Sequence, residues 1–439
     1  MKALILAAGF GTRLIPHTHK LPKPLFPLAG SIMLDRIVVQ LAKAGFTAIM
    51  VNTHHLHEKI EDYIKQQSYP VAVHVRFEPQ ILGTGGAIKN IADFFQQESL
   101  LVINSDIVTD IDLSKVYRYH KSHIYPVTMV MHDHATFNCV SVNQKGFITE
   151  FGALAQPPQR PNEKTLAYTG IQIIDPKIVE QIPADEFSDI IKVYKNFLAN
   201  KGKITACIVE KHSWHDIGSP TGFRNAALSQ LIANRLDTTH FCGFFEEISL
   251  TGDGSDRKWS RLRFASNTAI LADHGISGLK KHSEAASFIQ IGKHLTAKKI
   301  AVPTILAADA FSGLVIVEDL GNENLQSKII AIDNEKKKIN FYCKVIDRLL
   351  LLSIKGREEF DPQWTFQTKR YDRKLILEKE CRYFMEAFIN NYLGMRTIYI
   401  DLQREFEILA EMTLQHAIWG LIHRDCQSRN IMWHKNQCY

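Results

Sequence analysis

Leu4-Ile-Leu-Ala-Ala-Gly-Phe-Gly-Thr-Arg13, with Leu21-Pro-Lys-Pro-Leu25 close behind it, is the stretch from which the fold can be read. Three apolar residues make a short buried strand, and the Gly9-Phe-Gly11 turn after them lets the backbone approach a bulky group and take φ values other residues resist. Backbone N–H groups of such a turn wrap anionic oxygens, while Arg13 and Lys23 add full positive charge a few residues on. A phosphate chain fits this inventory, although a glycine pair alone also serves strand-to-helix turns for steric reasons. Pro22 and Pro24 hold Lys23 in extended backbone, which aims its ammonium group.

Outward from that stretch, helical and extended patterns alternate. Ile32, Ile37, Val38 and Leu41 share one face of a helix that Gly45 ends; 47–51 reads as a strand, 57–67 as a polar-faced helix and 71–75 as the next strand. Leu82-Gly-Thr-Gly-Gly-Ala87 opens a helix through Phe95, and Leu100-Leu-Val-Ile103 runs into Asn104-Ser-Asp106. This rhythm predicts an α/β, Rossmann-like unit with a mostly parallel sheet and helices on both faces. Ligands gather at the carboxyl ends of such strands, so one cleft can contain Gly9, Gly83 and Asp106. The glycines of 83–86 would present N–H groups and the positive end of a helix dipole. Asp106 follows a buried strand and needs a partner for its carboxylate; a metal ion or a turn N–H would each serve.

The 439 residues predict two or three compact units. A net charge of +6, with no Lys/Arg block interleaved with aromatics, gives no reason to expect nucleic acid; small anionic substrates account for it. Seven cysteines without Cys-x-x-Cys spacing read as reduced thiols, which predicts a cytoplasmic protein. The apolar run after Met1-Lys2 is too brief for an export signal, and no stretch approaches a membrane span. His54, His55, His57, His132 and His134 lack the partners of a zinc site; they read as structural or surface groups, with His55 facing the cleft.

Leu6-Ala-Ala-Gly-Phe-Gly-Thr-Arg-Leu-Ile-Pro16, with Pro22-Lys-Pro-Leu25, resembles the signature of the sugar-1-phosphate nucleotidyltransferases, which join a nucleoside triphosphate to a sugar phosphate and release pyrophosphate. The resemblance covers residues 1–235. It implies that Ala8, Gly9, Gly11 and Thr12 cradle the triphosphate, that Arg13 and Lys23 are catalytic, and that Gly83, Thr84 and Gly85 contact the nucleotide base and sugar. Asp106 and the aspartate of Trp214-His-Asp216-Ile-Gly218-Ser-Pro220 would hold Mg²⁺, while Asn138, Glu150, Thr169 and Gly170 would bind the sugar. Many relatives carry glutamine near Glu78, so the base is not legible there.

The chemistry fits these residue types. A sugar 1-phosphate, with a second pKa of about 6, is already a nucleophilic dianion at neutral pH, so no general base is needed. Repulsion between that dianion and the triphosphate opposes reaction, and cations and carboxylates that bind a metal answer it.

Beyond residue 236 the character changes. Residues 247–263 read as strand, glycine-rich tip and strand, a hairpin able to cover phosphates; 302–305 and 314–321 are extended, and 374–393 is a strong helix. Leu421-Ile-His423-Arg-Asp425-Cys-Gln-Ser-Arg-Asn430 resembles the catalytic loop of aminoglycoside and choline kinase-like phosphotransferases. That resemblance covers 241–439 and implies an incomplete protein-kinase-like α+β domain in which Asp425 accepts a hydroxyl proton, Asn430 holds Mg²⁺, and ATP is the donor. Arg261 and Arg263 are the candidates for the cation on ATP. The nine residues after Asn430 contain no second metal aspartate, so the expectation is a truncated bifunctional chain with impaired kinase chemistry. The pairing is similar to fused enzymes that recycle N-acetylmuramate or N-acetylglucosamine into UDP-sugars for peptidoglycan, which makes UTP the first expected donor. Mannose 1-phosphate with GTP is the alternative, as is a catalytically silent nucleotide-binding regulator.

Overall fold

Ala3, Leu4 and Ile5 are fully buried, so the strand Lys2–Leu6 needs a hydrogen-bonding neighbour on each edge. Ala48–Thr53 and Leu100–Asn104 supply them, both parallel to it, and Ala72–Phe77 runs parallel to Ala48–Thr53. The flank beyond Leu100–Asn104 is antiparallel, which the βα rhythm does not announce. Lys164–Ile174 pairs there, Val127–His132 pairs with it, and Thr205–Ile208 lies parallel to Val127–His132. The short hairpin of Val140–Val142 and Ile148–Phe151 completes a nine-stranded sheet. The register of Lys164–Ile174 shifts between Tyr168 and Gln172, and Gly170 sits in that bulge at φ +81°. A β-carbon on Gly170 would lie 3.0 Å from both Asn104 Nδ2 and Ile107 Cγ1.

The computed structural model describes residues 1–154, 160–184, 186–236, 245–251, 257–280 and 282–439. It divides into two units, Met1–Gln230 and Leu231–Tyr439. In the first, helix Met33–Lys43 turns Leu34, Ile37, Val38 and Leu41 onto the sheet, and Gly45, at φ +90°, ends that segment as its glycine predicts. Helix Leu113–Lys121 starts where Asp112 Oδ1 accepts from the N–H groups of Ser114 and Lys115.

The second unit has a five-stranded antiparallel sheet in the spatial order Glu246–Leu250, Lys258–Arg263, Thr268–Asp273, Leu314–Glu318, Ile305–Asp309. Helix Glu284–Ala297 connects the third strand to the fourth in chain order, its first turn capped by Ser283 Oγ. The expected hairpin over 247–263 is present as paired strands; its glycine-rich tip, 252–256, lies outside the described residues. Of the extended segment expected at 302–305, only Ile305 belongs to a strand.

The helix expected over 374–393 forms, but Ile376–Cys381 and Phe384–Tyr392 are wound more widely, as π-helix. That winding places Ile376, Cys381 and Met385 on one face, against Phe406 and Ala410. Among the described residues no helix is long and apolar enough to cross a membrane.

Candidate active site

After Leu6 the chain leaves the sheet, and Ala7 N–H donates to Asn52 Oδ1 at 2.8 Å. The next four N–H groups, Ala8 to Gly11, find no acceptor among the described residues. Gly11 has φ +63°, and a β-carbon there would meet Thr18 Cγ2 at 2.8 Å. Gly9 is different, since a β-carbon would meet nothing within 4 Å. Its smoothness serves no contact of the protein with itself and leaves the backbone open to a ligand.

The far side of this loop is braced. Thr18 Oγ1 donates to Gly11 O, and His55 Nε2 lies 2.9 Å from Thr18 O. A carbonyl only accepts, so that nitrogen carries the proton. His55, expected to face the cleft, therefore has Nε2 committed to the loop instead.

Pro22 is extended (φ −68°, ψ 144°), and Lys23–Leu25 forms a single 3₁₀ turn with Pro24 and Leu25 buried. The ammonium of Lys23 reaches Asp106 Oδ2 at 2.9 Å. Asp106 precedes the short strand Ile107–Thr109, which pairs antiparallel with Trp214–Asp216, putting Asp216 opposite Ile107. Ile217 N–H donates to Asp106 O at 2.9 Å. Two aspartates 110 positions apart in the sequence are thus held on neighbouring backbones. Asp216 Oδ1 accepts from Gly218 N–H, and a β-carbon on Gly218 would collide with both that oxygen and the Arg13 guanidinium. Arg13 therefore lies over Gly218, beside Asp216.

Ala8, Gly9, Lys23, Thr84 and Asp106 line a cleft of about 220 Å³. Its floor is a buried polar chain. Glu78, fully buried, accepts from Asn52 Nδ2 through Oε1 (2.8 Å) and from Leu82 N–H through Oε2 (3.1 Å). Asn52 in turn accepts from Ala7, so one carboxylate and one amide join the glycine turn to the Leu82–Gly86 segment. Sequence reasoning passed over Asn52; its sole signal was a polar residue inside an otherwise apolar strand.

Two expectations need correction. The N–H groups of Gly85 and Gly86 do not face a ligand, because both donate to Ser188 O, at 2.8 and 3.3 Å. Thr84 Oγ1 accepts from Ile190 N–H, and a β-carbon on Gly83, at φ +71°, would lie 2.7 Å from Ser188 O. These glycines admit the 186–190 segment. The side chain of Thr169 is likewise unavailable to a sugar, since it is fully buried and donates to Val130 O at 2.9 Å.

On the expected sugar side, Asn138 closes a turn by donating to Asp133 Oδ1 and accepting from His134 N–H. Glu150 is half-buried and makes no ion pair or side-chain hydrogen bond among the described residues. Trp214 Nε1–H donates to Thr169 O, and its ring packs on His132, His134 and Phe137.

His132 Nδ1 lies 3.0 Å from His212 Nε2. Burial, then the proximity of His212 and His134, push the pKa of His132 down to about 4. As pH falls the unfolded chain, with an ordinary value near 6.5, takes the proton first. The stability held by neutral His132 is therefore complete above pH ~6.5 and is lost as pH falls towards about 4. Thermal melts between pH 7 and 4.5 should fall more steeply for the wild type than for His132→Gln.

In the second unit, Asn430 Nδ2 donates to Asp425 Oδ2 at 2.8 Å, so the two residues singled out there are neighbours. Neither arginine proposed for ATP is uncommitted: Arg261 pairs bidentately with Asp319 (2.6 and 3.1 Å), and Arg263 pairs with Glu246. Arg257, not singled out from the sequence, forms an ion pair with Glu284 in the first turn of helix Glu284–Ala297.

Comparison with known proteins follows the same division. The family model for nucleotidyl transferase matches residues 2–231. UTP--glucose-1-phosphate uridylyltransferase of Synechocystis sp. is 30% identical over 254 residues, covering 53% of this chain and 65% of that protein. Mannose-1-phosphate guanylyltransferase of Mycobacterium tuberculosis is 27% identical over 226 residues, covering 50% and 62%. D-glycero-alpha-D-manno-heptose 1-phosphate guanylyltransferase of Campylobacter jejuni is 30% identical over 224 residues, covering 51% and 97%. The chain thus spans less than two thirds of the length of the first two. Among solved structures, HddC from Yersinia pseudotuberculosis aligns with a TM-score of 0.45 at 25% identity, over 52% of this chain and 98% of that one.

Proposed function

The chain belongs to the nucleotidyl transferase family through residues 2–231, and on that basis we propose that it transfers a nucleotidyl group from a nucleoside triphosphate to a sugar 1-phosphate, releasing pyrophosphate. The observation that carries this is a cleft lined by Ala8, Gly9, Lys23 and Asp106, with Asp216 on the backbone adjoining Asp106 and the N–H groups of Ala8–Gly11 finding no acceptor among the described residues. The N–H groups receive phosphate oxygens without reorganising. Arg13 and Lys23 offset the repulsion between the two anions and hold the sugar phosphate in line with the α-phosphorus. One of its oxygens forms the new bond to that phosphorus as the bond to the bridging oxygen of the β-phosphate breaks. The leaving group is pyrophosphate, and no proton needs to move.

Asp106 and Asp216 present hard carboxylate oxygens on adjoining backbones, a donor set that suits Mg²⁺ shared with phosphate oxygens and water. When bound, Mg²⁺ supplies Lewis-acid neutralisation of phosphate charge. Asn138, Glu150 and the Gly170 bulge are the sugar-side candidates; Glu150, half-buried and without a side-chain partner among the described residues, offers acceptor capacity for sugar hydroxyls.

For the donor, the reading taken from the sequence is UTP with N-acetylmuramate or N-acetylglucosamine 1-phosphate. GTP with a manno-configured sugar 1-phosphate is a second reading, favoured by the guanylyltransferases of mannose and heptose 1-phosphates among the relatives. Pyrophosphate release with Mg²⁺, crossing UTP, GTP and dTTP against these sugar 1-phosphates and glucose 1-phosphate, decides between them. One productive pair is the expected result. Folded protein releasing none with any pair would remove the enzyme reading in favour of a silent binder.

For the second unit we propose a phosphotransferase-like, ATP-binding role. A five-stranded antiparallel sheet with one helix between its third and fourth strands in chain order supports it, as does a cation–glutamate pair between Arg257 and that helix. The contact of Asp425 with Asn430 is the third support.

A further inference from the structure

Among the described residues the ammonium of Lys23 pairs with one carboxylate, Asp106. The backbone of Lys23 is fixed by the 22–26 turn, with Leu25 N–H on Pro22 O and Phe26 N–H on Lys23 O. Its stem passes beside the phosphate-binding turn, Cε lying 3.6 Å from where a Gly11 β-carbon would stand. Its ammonium ends on Asp106 Oδ2 at 2.9 Å, with the Lys23 side chain 12% and the Asp106 side chain 23% exposed. The second carboxylate is arranged differently. Asp216 makes no ion pair among the described residues and accepts from Gly218 N–H. So one of the two carboxylates suited to a divalent cation already carries a resident cation, tethered within reach of the site a triphosphate would occupy.

We propose that Lys23 is a displaceable counter-ion that keeps divalent cations off Asp106 until a triphosphate draws its ammonium away, making metal binding contingent on nucleotide. This rests on the nucleotidyl-transfer reading for the identity of the displacing anion, while the occlusion of Asp106 is a property of the substrate-free protein. The ammonium opposes a metal twice, by occupying Oδ2 and by like-charge repulsion at short range. A triphosphate along Ala8–Gly11 offers it several anionic oxygens in place of one carboxylate. The device would prevent a metal from occupying the site alone in a geometry unsuited to the incoming phosphates.

The test is Mn²⁺ binding to substrate-free full-length protein, followed by electron paramagnetic resonance of free Mn²⁺. Lys23→Met should bind Mn²⁺ about ten-fold more tightly than wild type, a size expected for loss of a partly shielded ion pair. Lys23→Arg, which keeps the charge, should bind like wild type, and Lys23→Met combined with Asp106→Asn should lose the gain. Lys23→Gln serves as the second uncharged variant, with melting curves establishing that each protein is folded. If folded Lys23→Met and Lys23→Gln bind Mn²⁺ no more tightly than wild type, the counter-ion role is wrong. That outcome is separable from failure of the transfer reading, which would appear as absent pyrophosphate release in the wild type.

Discussion

Asp106→Asn should lower pyrophosphate release by about 10²–10³-fold, the size of effect that loss of one preorganised electrostatic group has in a hydrolase site. The substitution keeps the shape of the side chain and an oxygen able to accept from Lys23, so little else changes. It removes the negative charge that makes Asp106 a hard-cation ligand. Because the pair with Lys23 is partly exposed, its loss should alter the melting temperature little. The check is a steady-state assay with the productive substrate pair beside a thermal melt. A variant that melts like wild type and turns over within a few-fold of it would remove Asp106 from the reaction. Asp216→Asn should behave alike in activity, and its remaining Oδ1 can still accept from Gly218 N–H.

Asn52→Leu should destabilise the first unit by about 3–5 kcal/mol, since two buried groups, one of them a carboxylate, each lose a partner. Asn52 is 2% exposed and its amide serves both ends of the buried chain, accepting from Ala7 N–H and donating to Glu78. Leucine fills the volume and satisfies neither. Glu78 then keeps one donor, Leu82 N–H, for a fully buried carboxylate, and Ala7 N–H loses its acceptor. Amide hydrogen exchange of peptides covering 2–12 and 72–90 is the measurement, because it reports these segments independently of the second unit. Protection unchanged from wild type in both peptides would show that water or rearrangement supplies the missing partners. Glu78→Gln should cost less, since the amide can still accept from Leu82 N–H.

Much of the first unit is legible in its residues because the signals are local. Apolar runs bounded by turn residues mark the strands Lys2–Leu6, Ala48–Thr53 and Leu100–Asn104, and the 3.6-residue period marks Met33–Lys43. The antiparallel flank is less legible, as Lys164–Ile174 carries no residue that says which neighbour it will pair with or in which direction. In the second unit the apolar pattern announces a helix near 374–393. The wider winding, which sets Ile376, Cys381 and Met385 together against Phe406 and Ala410 of another helix, Gln403–Gln415, is not announced by that pattern.

The two glycine clusters show where local reading stops. Gly9–Gly11 and Gly83–Gly86 look equivalent in the sequence, each a flexible turn beside a strand or helix end. Tertiary structure separates them: Ser188 O occupies the N–H groups of Gly85 and Gly86, whereas Ala8–Gly11 find no acceptor among the described residues. Thr169 fails for the same reason, its hydroxyl taken by Val130 O. The sequence by itself determined the backbone demands, a residue free to adopt φ +63° at Gly11 and an extended Pro22 ahead of Lys23, because sterics act within a residue or two. Lys23 itself, expected to be extended, enters a 3₁₀ turn. Only the tertiary structure decided that Asp216 lies beside Asp106, that Lys23 rests on Asp106 and that Asn52 joins Ala7 to Glu78. Each of those hydrogen bonds or ion pairs links segments far apart in the chain, and a polar group's partner is chosen by what packing brings within about 3 Å.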